Sequence, residues 1–163
     1  MSTTTRRTNH RSAVRPRVAS RVDDQPQGLF DALLRTASEL DQQVAQVLKP
    51  AAVTPAQYNV LRILRESEGV GLSCGEISER LVRHDPDVTR LLDRLETMGF
   101  VARRRDTSDR RVVLALITDA GLDLLDSLAT SVAALHRRQF RALSPDDSGA
   151  LAALLGSLRS GTE

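Results

Sequence analysis

The chain has 163 residues, of which 40% are apolar and 27% charged, the balance of about one globular domain rather than of a disordered or membrane-spanning chain. One cysteine excludes a disulfide framework and a multi-cysteine zinc site and fits a reducing cytoplasm, while no Trp, one Tyr and three Phe leave little from which to build a base-stacking platform. The charge is uneven: residues 1–22 hold six arginines and no acid, residues 80–111 hold nine arginines against six acids, and the stretches 23–79 and 112–163 are net acidic, a pattern that suits one surface built for a polyanion.

In chain order, residues 1–26 are rich in Arg, Ser, Thr and Pro and too poor in apolar groups to offset the entropy of ordering, so they are read as a disordered basic tail. Three roles stay open for it: a solvated tail, a flexible arm on phosphates, or an organelle transit peptide. From 28 to 49, Leu29, Leu33, Leu40, Val44 and Val47 recur at helical spacing, widened by Phe30, Leu34 and Ala37, and Lys49-Pro50 ends the helix. Thr54-Pro55-Ala56-Gln57 is a capping box with proline at the first helical position, and Tyr58, Val60, Leu61, Ile63 and Leu64 supply a buried face. Val70 to Leu72 reads as a short strand. Ser73 and Glu76 form a second capping box for a short helix that ends near Arg83. Asp85 then reads as a cap with Pro86 behind it, opening a helix 86–98 whose apolar face is Val88, Leu91, Leu92, Leu95 and Met98 and which stops at Gly99.

Two short helices a few residues apart are a helix-turn-helix signature, with 86–98 as the groove-entering helix. The period then changes to that of strands at 100–102 and 112–117, with the polar turn 103–111 between them. The fold class is therefore mainly α with a small β-wing: a winged helix-turn-helix at about 52–118. It is flanked by helices at about 28–49, 119–141 and 145–159, and 27–163 is expected to be a single domain. Leu122, Leu125, Leu128, Ala129, Val132 and Leu135 mark the buried face of the first C-terminal helix, and Leu151, Leu154, Leu155 and Leu158 are expected to be buried by the last. These outer helices are more apolar than one small winged domain needs, which a second copy could cover; the alternative is that they pack on their own chain.

The segment 87–121, DVTRLLDRLETMGFVARRRDTSDRRVVLALITDAG, resembles the MarR family of bacterial transcriptional regulators. The resemblance rests on the VTRLxDRLExxG helix, on Asp109-x-Arg111 in the wing, and on Ile117-Thr118 with Gly121 opening the next helix. It implies a cytoplasmic homodimer whose outer helices pair and whose two winged domains dock on successive major grooves of a palindromic operator, with half-site centres roughly 34 Å apart. It further implies a repressor released by a small aromatic (phenolic) or anionic effector, or by an oxidant.

On the groove helix, Arg90 and Arg94 lie four apart, opposite Leu92 and Leu95, within reach of phosphates or guanine edges, and Thr89 can bond a phosphate or touch a thymine methyl. Asp87 can accept from a cytosine amino group or serve as a cap. In the wing, Arg110 and Arg111 sit near a strand start. The resemblance sends Arg111 into the minor groove and has Asp109 orient it. Arg103, Arg104 and Arg105 track the backbone, not all on one side, with Asp106 bracing one of them. The competing reading of these charges is a solvated hairpin and a helix face on which Asp93, Glu96 and Arg94 exchange weak surface pairs.

No ligand-binding residue is assigned, and no metal set or cofactor is expected, because neither His84 nor His136 is spaced with Cys74 or a carboxylate as a ligand group. Cys74 follows a cap and is read as an inert small residue, with a thiol-based redox sensor as the alternative. The sequence holds no glycine-rich phosphate loop, no zinc-protease helix and no nucleophile–base set, so an enzyme is not expected. A winged helix used only for protein contacts remains the other non-enzymatic reading; the excess of arginine on the second helix and wing argues against it.

Overall fold

A computed structural model of the chain describes residues 26–67, 69–81 and 87–160. The expected tail up to residue 25, together with His84, Asp85 and Pro86, lies outside the described residues. Two compact units meet between Thr36 and Ala37. The described part of the first is the opening of helix α1 (Pro26–Leu48), where Leu29, Phe30 and Leu34 are exposed. In the second unit the end of α1 packs Val44, Val47 and Leu48 into the core; the helix ends at Leu48, as the Lys49-Pro50 pair suggested, and a 3-10 turn, Lys49–Ala51, follows it.

Local signals start the next two helices as expected. Helix α2 (Pro55–Glu66) opens on Thr54, whose hydroxyl accepts from the Gln57 amide while the Gln57 side chain accepts from the Thr54 amide. That reciprocal bond satisfies Gln57, a polar side chain that is otherwise buried among apolar neighbours. The same box, Ser73 with Glu76, opens helix α3 (Cys74–Arg80), which stops three residues short of the expected end. The preceding strand, β1, is Leu72–Ser73 rather than 70–72, and Val70 is solvent-facing.

Helix α4 (Val88–Thr97) begins two residues later than expected, and its cap is Asp87, whose Oδ1 accepts from the Arg90 amide at 3.1 Å. The carboxylate two residues later in the chain takes the capping role that the Asp-Pro pair suggested for Asp85. At the other end Gly99, at φ +79°, makes a full Schellman turn: its amide donates to Glu96 and the Phe100 amide to Leu95. This reverses the chain into strand β2 (Val101–Arg105), which pairs antiparallel with β3 (Val113–Ile117), and β3 with β1, in the order β1-β3-β2. Strand β2 runs through all three arginines 103–105, so the turn is shorter than the polar run 103–111 implied. Their alternation satisfies a strand as readily as a loop when a helix lies alongside.

Helix α5 (Asp119–Gln139) is capped by Thr118, which also donates its hydroxyl to the Gly99 carbonyl at 2.7 Å. Gly121 is required by space: a Cβ there would stand 2.5 Å from the Phe100 carbonyl oxygen and 2.7 Å from Ile117. Leu125, Leu128, Val132 and Leu135 are buried as expected; Leu122 is half-buried and Ala129 exposed. The core gathers Leu61, Leu64, Ile77, Leu92, Leu95, Val101, Ala115 and Leu125 from α2, α3, α4, the sheet and α5. Helix α6 (Pro145–Ser160) departs from expectation. Leu151, Leu154, Leu155 and Leu158 are 37%, 65%, 39% and 52% exposed, and no residue of the helix is buried. Its spacing marks an apolar stripe, but none of its residues is buried by the described elements.

Candidate nucleic-acid interface

At 100° per residue, α4 divides into three stripes. Val88, Leu92 and Leu95 form the first and are buried in the core. Thr89, Asp93 and Glu96 form the second, which meets strand β2 through Arg103. Arg90, Arg94 and Thr97 form the third, exposed to solvent. The expected juxtaposition of Arg90 and Arg94 on a face away from Leu92 and Leu95 is thus present. The Arg90 side chain is 80% exposed and its Nε lies 3.0 Å from Asp87 Oδ2. Asp87 is therefore both cap and counter-charge, which places negative charge at the end of the helix from which Arg90 projects. Arg94 has no acidic partner among the described residues; the competing reading, in which it exchanges surface pairs with Asp93 and Glu96, gives way to pairing of both acids with Arg103.

The wing tip is assembled by carboxylates. Asp106 Oδ1 accepts from the amide and hydroxyl of Ser108 at 2.8 and 2.9 Å, an Asx turn, rather than bracing an arginine. Those bonds, the amide first, hold the Asp106 carboxyl below its ordinary range. Asp109 accepts from Arg111 Nε at 3.1 Å and Nη2 at 3.2 Å, and from the Arg111 amide at 3.0 Å. The Arg111 side chain, then its amide, lowers the Asp109 carboxyl in the same way. The Arg111 side chain is 91% exposed, so the carboxylate fixes its plane while leaving its outer edge to solvent. Arg110 is also exposed, and its carbonyl accepts from Arg105 Nη1 at 2.9 Å, tying the tip back to the strand.

The three wing arginines separate. Arg104 donates to the Val70 carbonyl at 3.0 Å, Arg105 to the tip, and Arg103 to α4. Only the first two are exposed. Sequence reasoning missed the contact between Arg103 and α4. The signal was available: Asp93 and Glu96 share a helix stripe that neither the leucines nor Arg90 and Arg94 occupy, and an acidic stripe between them calls for a basic neighbour. Cys74 is exposed, and His136 bonds Gln139 through Nδ1 at 2.9 Å. No group of three potential metal-ligating side chains occurs among the described residues, and none of their helices is long and apolar enough to cross a membrane.

Comparison with known proteins bears on the fold and the family. The sequence profile of the MarR family matches residues 53–113, which run from α2 through the helix-turn-helix and the wing turn to the first residue of β3. The uncharacterized HTH-type transcriptional regulator YkoM of Bacillus subtilis is 31% identical over 127 residues, which cover 78% of this chain and 81% of that one. A mutant of MarR from E. coli, solved in complex with operator DNA, superposes with a TM-score of 0.74 at 27% identity, covering 80% of this chain and 92% of that one. AbsC, a MarR family transcriptional regulator from Streptomyces coelicolor, gives 0.77 at 26% identity over 85% and 95%.

Proposed function

The chain belongs to the MarR family of transcriptional regulators and is not an enzyme, and from that premise we propose that it is a cytoplasmic homodimeric repressor that grips a palindromic operator. In this reading the Thr89, Arg90 and Arg94 edge of α4 enters the major groove, and Arg111, held flat by Asp109, enters the adjacent minor groove. Arg104, Arg105 and Arg110 follow the phosphates. Asp87 acts on bases only through Arg90, whose guanidinium it anchors. The observation that carries the proposal is that Arg90 and Arg94 of α4 and Arg111 of the wing are all exposed while Leu92 and Leu95 of α4 are buried. A similar fold bound to operator DNA, in the MarR mutant of E. coli, adds support.

Dimerisation is supported by the leucines of α6 that lie open in the single chain and, separately, by Leu29, Phe30 and Leu34 at the start of α1. Surfaces of this kind are normally covered. Release by a small aromatic or anionic effector is supported by family membership.

The test is selection of bound duplexes from a random pool with the full-length protein. The expected outcome is a palindrome with half-site centres about one helical turn apart, roughly 34 Å. Binding to it should weaken steeply with salt, by about one unit of log–log slope per phosphate contact. Arg90→Ala should alter the preferred sequence, whereas Arg111→Ala should weaken binding. A pool that enriches no sequence would move the winged domain to protein recognition.

A further inference from the structure

Three consecutive arginines form the end of strand β2, and only one turns back onto α4. Arg103 Nη2 donates to Asp93 Oδ1 at 2.6 Å and to the Thr89 carbonyl at 3.4 Å, and its Nε lies 3.4 Å from Glu96 Oε2. Its side chain is 27% exposed, against 91% for Arg111. The acceptors fall at i, i+4 and i+7, so one planar fork spans two turns of a single helix stripe. That stripe flanks the one bearing Arg90 and Arg94. Through its backbone, the same arginine belongs to the strand whose turn carries Arg111.

We propose that Arg103 is a positioning residue rather than a DNA contact: its guanidinium fixes the pitch of the wing against α4, so that Arg111 and the Arg90–Arg94 edge reach their grooves together. This rests on the DNA-binding reading above. With its Nε and Nη2 turned onto two carboxylates and a carbonyl, the guanidinium keeps only Nη1 for any other acceptor, and the two acids outweigh its single positive charge at long range. What it contributes is a fixed geometry between two contact surfaces on different elements, which lowers the cost of engaging both at once.

The experiment titrates a selected duplex with the full-length chain and with Arg103→Gln, Arg103→Lys, Arg111→Ala and the double variant Arg103→Gln/Arg111→Ala, each at several salt concentrations. Arg103→Gln should weaken binding about tenfold with the salt slope unchanged, because no phosphate contact is lost. Arg103→Lys should weaken it nearly as much, since an ammonium keeps the charge but not the fork. The penalty of Arg111→Ala should shrink when Arg103 is already replaced, because a wing of unfixed pitch no longer delivers Arg111. A salt slope lower by about one unit, full rescue by lysine, or strictly additive penalties would each overturn the proposal. Asp93→Ala breaks the same tie from the helix side, should reproduce the loss at constant slope, and carries the test if Arg103→Gln does not fold. Arg111→Ala binding like the unsubstituted chain would overturn the placement of Arg111 in the minor groove, the part of the DNA-binding reading on which the positioning role rests. A normal Arg111→Ala penalty without coupling to Arg103 overturns only the positioning role.

Discussion

Helices α4 and α6 carry leucines at similar spacing and meet opposite fates. In α4, Leu92 and Leu95 are 1% and 0% exposed, closed over by α2, α3 and the sheet. In α6 a comparable stripe stands open to solvent along its length. Periodicity reports that a helix has an apolar face; it does not report what covers it. The difference separates the part of this chain that folds against itself from the part whose apolar surface calls for another cover.

Truncation in the two helices is the strongest way to break that contrast. Leu95→Ala should cost about 2–5 kcal/mol, measured by urea unfolding, and the loss should be the same at every protein concentration. Gly121→Ala comes next, because its new methyl meets the Phe100 carbonyl and Ile117 where neither can retreat freely. About 1–3 kcal/mol of overpacking is expected, read as a lower midpoint in the same titration. Ser73→Ala removes the hydroxyl that accepts from the Glu76 amide at 3.3 Å and should cost about 1 kcal/mol. On the α6 side, Leu154→Ser should change unfolding of the dilute chain by no more than about 0.5 kcal/mol. Its expected effect is on self-association, seen in sedimentation as a concentration-dependent shift. A concentration-independent loss as large as that of Leu95→Ala would erase the distinction between the two helices.

The smallest effect concerns acid. Arg111 depresses the Asp109 carboxyl below its ordinary value of 3.8. A depressed acid stabilises the folded tip above that ordinary value, and the contribution disappears as pH falls through the lower folded one. Carboxyl NMR should therefore give a midpoint below 3.8, and Arg111→Ala should move it back up toward that figure. An unshifted midpoint would remove Asp109 as the holder of Arg111.

How much of this was legible depended on how far apart the interacting residues lie in the chain. Thr54 with Gln57, and Ser73 with Glu76, were readable because a capping box closes within four residues and each partner's side chain answers the other's amide. The cap of α4 was misread for a related reason: Asp85 and Asp87 are chemically equivalent, two residues apart, and the proline between them argued for the first. The pairing of Asp109 with Arg111 is just as local, although it was the resemblance that pointed to it. The burial expected of α6 failed because cover is a tertiary property. The arginines of β2 were beyond local reasoning as well. Three identical side chains in a row differ here only through what lies beside each, a carbonyl at Val70, the turn at Arg110 and a helix ten residues upstream.

Ser73 sits at a junction that ties these observations together. Its backbone lies in β1, in register with Leu114 of β3, while its hydroxyl and amide hold the first turn of α3 through Glu76. One residue is thus the last link of the sheet and the first of the helix-turn-helix, with no loop residue between them. A displacement of β1 along the sheet therefore carries the first turn of α3 with it, so strand register and helix placement are set by the same side chain.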